Sequence, residues 1–215
     1  MNSHSCAQTQ SKLCHLPPEL LLHILDATGN YSNKVRLFST CKRLYNLLIL
    51  SVYSEAGRQL RWLPMFDGAK RGNCHTLARC IEAGAPIDYE DLESPFRPIR
   101  PLQTAIGFAR PLTVKWLLNH GANPNSTRDP DTASFSCPLA QALRSILEPG
   151  LPFQSVPYQM ELRYCKVPGR KHYVRNNREI IKALRQAGAD EQPLGYLGRS
   201  HLDAIEAGVH WCSHH

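Results

Sequence analysis

Metal or nucleophilic chemistry would need histidine, cysteine and carboxylate side chains at set spacings, and the chain offers few such sets. His210-x-Cys212-x-His214-His215 carries metal-capable groups, but a spacing of two matches no structural zinc pattern, and the run sits in a C-terminal tail. Cys74, His75 and Cys80 fall on one expected helix, with Cys80 on its apolar side, which reads as packing and not ligation. No Ser/His/Asp or Cys/His arrangement, paired-acid motif or phosphate-binding glycine loop stands out. These residues predict a binding protein and not an enzyme, with no metal and no cofactor. Eight cysteines are scattered along the whole length without a C-x-x-C pair, which predicts free thiols in a reducing compartment.

The other chemistry on offer is anion binding. Lys166, Arg170, Lys171, Arg175 and Arg178 interleave with Tyr164, His172 and Tyr173. Charge plus aromatic rings is the pattern of a nucleic-acid contact. A solvated surface loop explains it more simply, because long insertions cost little closure entropy. An acidic protein segment is the preferred ligand over nucleic acid. The net charge of +7 permits such a partner without demonstrating one.

The elements that must carry these residues are helical. With 42% hydrophobic and 20% charged residues, the composition is that of a globular protein. The longest apolar run, Leu47–Leu50, is far too short to span a membrane, and Met1–Ser11 is polar and unlike a secretory signal. The expected location is intracellular, cytoplasmic or nuclear or both, with no membrane partner. Residues 1–12 read as a disordered lead-in.

Leu16-Pro17-Pro18-Glu19 opens a first helix to about Ala27, with proline where the first turn has no N–H to lose. Taking Leu20 as zero, Ile24 falls near 40°, Leu21 near 100°, Leu25 near 140° and Leu22 near 200°, about twice the usual buried arc. Thr28-Gly29-Asn30 ends the helix. Ser32 or Asn33 is expected to cap a second through Phe38, and Ser39-Thr40 a third over about Cys41–Tyr53. Three helices in so few residues sit at the lower edge of independent stability, so surplus leucine implies a partner. Ser54–Leu60 reads as a mostly polar linker, with helix expected at most on either side of a break at Gly57.

A repeat follows. Pro64, Pro101 and Pro138 are 37 residues apart, as are Gly84 and Gly121 (101 − 64, 138 − 101 and 121 − 84), while Gly188 follows Gly121 by 67, one period plus 30. Ala69, Ile106 and Leu143 stand five residues after each proline. Leu77, Val114 and Ile181 form one apolar column of the second helices, and Cys80, Leu117 and Leu184 another. A third column, Ile81, Leu118 and Arg185, ends in a charge, which suggests a wetter last face. About Ile146–Arg175 would be an insertion splitting the third unit, with Met160–Cys165 a candidate strand. Tyr196–Trp211, through Leu202, Ile205 and Trp211, would form a cap or a degenerate fourth unit.

Two resemblances go with these motifs. Leu13–Leu50 resembles an F-box, through Leu16-Pro17-x-Glu19, Ile24-Leu25 and Ser39-x-Cys41-Lys42-Arg43-Leu44. Arg61–Gln192 resembles ankyrin repeats, through Val114-Lys115-Trp116-Leu117-Leu118, Gly121-Ala122-Asn123-Pro124-Asn125, Ile180–Leu184 and Gly188-Ala189-Asp190. Its opening tetrads, Arg100–Gln103 and Cys137–Ala140, depart from the Thr-Pro-Leu-His of that family. The expected fold is all-α: an F-box over 13–53, a linker over 54–60, about three ankyrin-like repeats over 61–192 with the third split by an insertion near 146–175, and a cap and tail over 193–215. The resemblance implies a substrate-recognition subunit of an SCF-type ubiquitin ligase. It would dock the Skp-type adaptor through Leu16, Pro17, Leu20, Leu21, Ile24, Leu44 and Leu47. It would capture a protein target, not identified by the sequence, through Tyr89, Asp91, Phe96, Arg97, Arg100, Arg128 and Asp129. The alternative is a non-ligase ankyrin scaffold in which the N-terminal helices serve only as a cap.

Overall fold

The computed structural model describes residues 12–91, 100–126, 137–147 and 170–207. They form ten α-helices, with no strand among the described residues. None of the described helices is long and apolar enough to cross a membrane. The chain divides into two compact units. The first holds the residues up to Leu63 together with Arg79–Ala85, and the second Pro64–Ala78 with everything from Pro86 onward.

In the first unit, α1 (Pro18–Ala27), α2 (Tyr31–Phe38) and α3 (Lys42–Leu60) pack with α3 against both of the others. Leu21, Leu25, Phe38, Leu44, Leu48, Ile49 and Val52 form the core, and Phe38 and Tyr45 meet at 5.5 Å between ring centroids. The caps differ from expectation. Asn30 starts α2, its Oδ1 accepting the Asn33 N–H at 2.9 Å. Cys41 starts α3, its Sγ accepting the Leu44 N–H at 3.5 Å. Ser39 and Thr40 cannot cap α3, because their hydroxyls donate to the Val35 and Leu37 carbonyls at the end of α2.

The expected linker is helix. α3 runs through Gly57 to Leu60 and turns at Arg61 and Trp62, both left-handed (φ 48° and 57°). A Cβ on Gly57 would collide with the Trp62 indole, so this glycine gives the ring a place to lie and does not break the helix. Crossing the core is a buried ion pair. Lys34 Nζ meets Glu55 Oε2 at 2.6 Å with both side chains at most 10% exposed, and Gln59 Nε2 donates to Glu55 Oε1 at 2.6 Å.

The remaining helices come in pairs: α4 (Leu63–Arg71) with α5 (Cys74–Glu82), α6 (Pro101–Gly107) with α7 (Pro111–Asn119), and α8 (Pro138–Leu147) with α9 (Arg170–Gln186). All nine residues of the Pro-plus-five set and the first two columns are buried. The second helix of each pair closes alike. Gly84, Gly121 and Gly188 take φ of 98°, 92° and 83°. Each donates its N–H three residues back, to Ile81, Leu118 and Arg185, and the following alanine donates five back, to Cys80, Leu117 and Leu184, at 2.9 to 3.1 Å. These six bonds satisfy carbonyls that the helix end leaves open.

Within the second unit, α6 packs on α7 and α8, and α9 on α7 and α8. Two side chains tie successive closing turns in the same register. The Asp88 carboxylate accepts the Asn123 N–H at 3.0 Å, and 37 residues later the Asn125 Oδ1 accepts the Asp190 N–H at 2.7 Å. α8 reaches Leu147 and α9 begins at Arg170, so Ile146–Leu147 and Arg170–Arg175 are helix and not insertion. Half-buried Tyr173 and Val174 extend the inward face of Asn177, Ile180 and Ile181 by one turn, and Asn176 Nδ2 donates to the Ala109 carbonyl at 3.1 Å. A 3-10 turn, Gln192–Leu194, leads to α10 (Gly195–Glu206), which buries Leu202 and Ile205 and packs on α8.

Candidate functional site

The first unit presents its candidate surface on α1 and α3. Leu21 and Leu25 point into the core, so the residues on either side of them on the helical wheel flank it. Leu20 is 48% exposed and Ile24 half-buried on one side, and Leu22 is 40% exposed on the other. On α3, Leu47 and Leu50 are 39% and 42% exposed. Leu22 and Leu50 border one open groove of about 500 Å³, with Ser54, Arg58 and Glu82 also on its wall. Pro17 is exposed and Leu16 half-buried. The Leu16 carbonyl accepts a hydrogen bond from Arg43 Nη2 at 3.2 Å, fixing the entry to α1.

The expected docking set is therefore corrected at two positions. Leu21 and Leu44 are fully buried and belong to the core of the unit, so they are not offered to a partner. Leu22 and Leu50 are offered instead. The helical wheel carried the signal for Leu22, which lies near 200° when Leu21 and Leu25 define a buried stripe near 120°.

A second candidate surface lies in the array. Of the residues expected to meet a target, Phe96, Arg97, Arg128 and Asp129 lie outside the described residues. Tyr89 is half-buried, edge-on to Phe66 with centroids 6.1 Å apart. Arg100 is not a free cation: its Nη2 meets Glu90 Oε2 at 3.1 Å, and its N–H donates to Gln103 Oε1 at 3.3 Å at the start of α6. Asp91 is half-buried. The Tyr89 and Arg100 side chains thus serve local structure as well as any contact.

Burial pushes the Cys80 thiol up to about 12, and burial likewise raises Cys137, so both stay protonated and unreactive near neutral pH. Burial, reinforced by Tyr53, Cys80 and Glu55, raises the Tyr31 phenol to about 12. Among the described residues, no group of three or more histidine, cysteine or acidic side chains could hold a metal ion. The His210–His215 run, Met160–Cys165, Lys166 and Trp211 lie outside them. The third-column Arg185 meets Glu191 at 2.7 Å and Glu206 of α10 at 2.7 Å, which fixes the last helix pair to its cap.

A comparison with protein-family models finds no match, and neither does one with curated protein sequences. Among the described residues the geometry defines a class: an all-helical chain in which three N-terminal helices are followed by helix pairs.

Proposed function

We propose that the chain is a substrate-recognition subunit of an SCF-type ubiquitin ligase, its N-terminal unit acting as an F-box on a Skp-type adaptor and its helix pairs acting as ankyrin repeats on a protein target. The observation that carries this is the set of four leucines on the first unit, Leu20, Leu22, Leu47 and Leu50, each 39 to 48% exposed. Fully burying a leucine is worth about 1.5–3 kcal/mol, so covering the remaining exposure of four recovers roughly 2.5–5 kcal/mol. A unit of about 50 residues has only roughly 2–7 kcal/mol of its own. Apolar surface on that scale suits a partner better than water.

The role needs no chemistry from this chain. Holding a target near a transferring enzyme raises its effective concentration. The Leu16-Pro17-x-Glu19 entry, tied to α3 by Arg43, gives the dock a fixed edge. The array offers a second face for the target. The second reading, a non-ligase scaffold with α1–α3 as a cap, is favoured by one observation: Arg79–Ala85, the end of α5, belongs to the same compact unit as α1–α3.

Co-purification with a Skp-type adaptor separates the two. Leu20→Asp with Leu47→Asp is expected to abolish adaptor recovery while far-UV circular dichroism stays unchanged, since both side chains are on the surface. Adaptor recovery that survives this pair, or is absent with the unaltered chain, favours the scaffold.

A further inference from the structure

One helix carries most of the excess charge of the chain. α9 holds six cationic residues (Arg170, Lys171, Arg175, Arg178, Lys182 and Arg185) and one acid, Glu179, so it contributes 6 − 1 = +5 of the +7. Its exposed residues, His172, Arg175, Glu179, Lys182 and Gln186, are spaced three, four, three and four apart, which places them on one stripe. Arg178 is half-buried, and Arg185 is tied to Glu191 and Glu206.

The single acid on the stripe is already answered. Lys115 of α7 reaches Glu179 with Nζ to Oε2 at 3.1 Å. Arg175 Nη2 lies 3.0 Å from His172 Nδ1, and no carboxylate pairs with this guanidinium among the described residues. Lys182 has no ion-pair partner among the described residues. Arg175 and Lys182 thus stand without an acidic partner among the described residues, seven residues or about 10 Å apart along the helix. An extended peptide covers that distance in about three residues.

We infer that the outer stripe of α9, centred on Arg175 and Lys182, is a docking surface for an acidic segment of a partner protein. A nucleic acid fits less well. Grip on a phosphate backbone grows with the number of phosphates that cations neutralise, and here a carboxylate stands midway between two cations. The inference deepens the proposed role of the array in binding a protein target and does not depend on the adaptor dock.

The test is fluorescence anisotropy of a labelled oligoglutamate peptide titrated with the full chain, beside an oligothymidylate of equal charge, at about 50 and 200 mM salt. Arg175→Glu with Lys182→Glu is expected to weaken the peptide about tenfold, from two reversed exposed pairs. Arg36→Glu with Lys42→Glu, both exposed on the first unit, makes the same change in net charge and is expected to leave binding within about twofold. Three results would overturn the site: equal weakening in both double variants, oligothymidylate binding at least as tightly as the peptide, or no peptide binding by the unaltered chain. Loss of adaptor binding by Arg175→Glu with Lys182→Glu is not expected. Adaptor and peptide titrations therefore fail separately if the two proposals fail separately.

Discussion

Replacing Lys34 with methionine should unfold the N-terminal unit and leave the array folded. Lys34 and Glu55 are buried, 2.6 Å apart, and Gln59 is the other hydrogen-bond partner of the Glu55 carboxylate. Methionine keeps the volume and removes the charge, so Glu55 is left as a buried anion answered by one neutral amide. Breaking a buried pair this way costs about 3–5 kcal/mol. Against roughly 2–7 kcal/mol for about 50 residues, that loss consumes most of the stability of the unit. Lys34→Met with Glu55→Met removes both charges and is expected to recover most of it, because a well-packed apolar pair is often as stable as the ion pair it replaces. The assay is hydrogen exchange read by peptide mass spectrometry on the full chain. Peptides covering Pro18–Ala27 and Lys42–Leu60 should lose protection in Lys34→Met and regain it in the double variant, while those covering Pro111–Asn119 and Gln186–Asp190 should not change. Full protection in the single variant, or a double variant no better than the single, would refute the energetic account of this core.

Three further outcomes are expected. Gly121→Ala should lower stability by about 1–2 kcal/mol in chemical denaturation. Its φ is 92° and a Cβ there meets nothing within 4 Å, so the cost is backbone alone; a neutral result would mean the turn relaxes out of the left-handed region. Asn125→Ala removes a bond from the Asp190 N–H at 2.7 Å and one to the Gly188 carbonyl at 3.1 Å. Thermal melts should register a loss of roughly 1–2 kcal/mol for the pair, and faster exchange at Asp190 would localise it. Cys80 holds its proton to about 12 in the folded chain, whereas an exposed thiol releases it near 8.5. The folded state then binds more protons between those values, so this residue lowers stability as pH rises through that window. Native alkylation at pH 8 should label half-buried Cys41 and Cys74 well before Cys80 and Cys137; Cys80 labelling as fast as Cys74 would contradict its burial.

The repeat was legible because its signals are backbone signals. A left-handed closing residue calls for glycine, and a helix start tolerates proline, so Gly84, Gly121 and Gly188 with Pro101 and Pro138 announce the register whatever the side chains do. The apolar columns followed from the same register. What failed depended on tertiary partners. Gly57 looks like a break until Trp62 is seen lying against it. Ser39 and Thr40 look like caps until their hydroxyls are found on the preceding helix. Arg170–Arg175 looks like a basic loop because charge masks the inward Tyr173 and Val174. On α1 the period identified a surplus of leucine, but it could not say which half faces inward. That choice was made by α3, which takes Leu21 and Leu25 and leaves Leu20 and Leu22 outside.

The central proposal is that these outward leucines meet a Skp-type adaptor. Isothermal titration of the purified adaptor with the full chain tests it most directly. The account predicts saturable one-to-one binding with a negative heat-capacity change, as expected when apolar surface is covered, and its loss in Leu20→Asp with Leu47→Asp. Absence of binding by the unaltered chain, or equal affinity in the double variant, would contradict it.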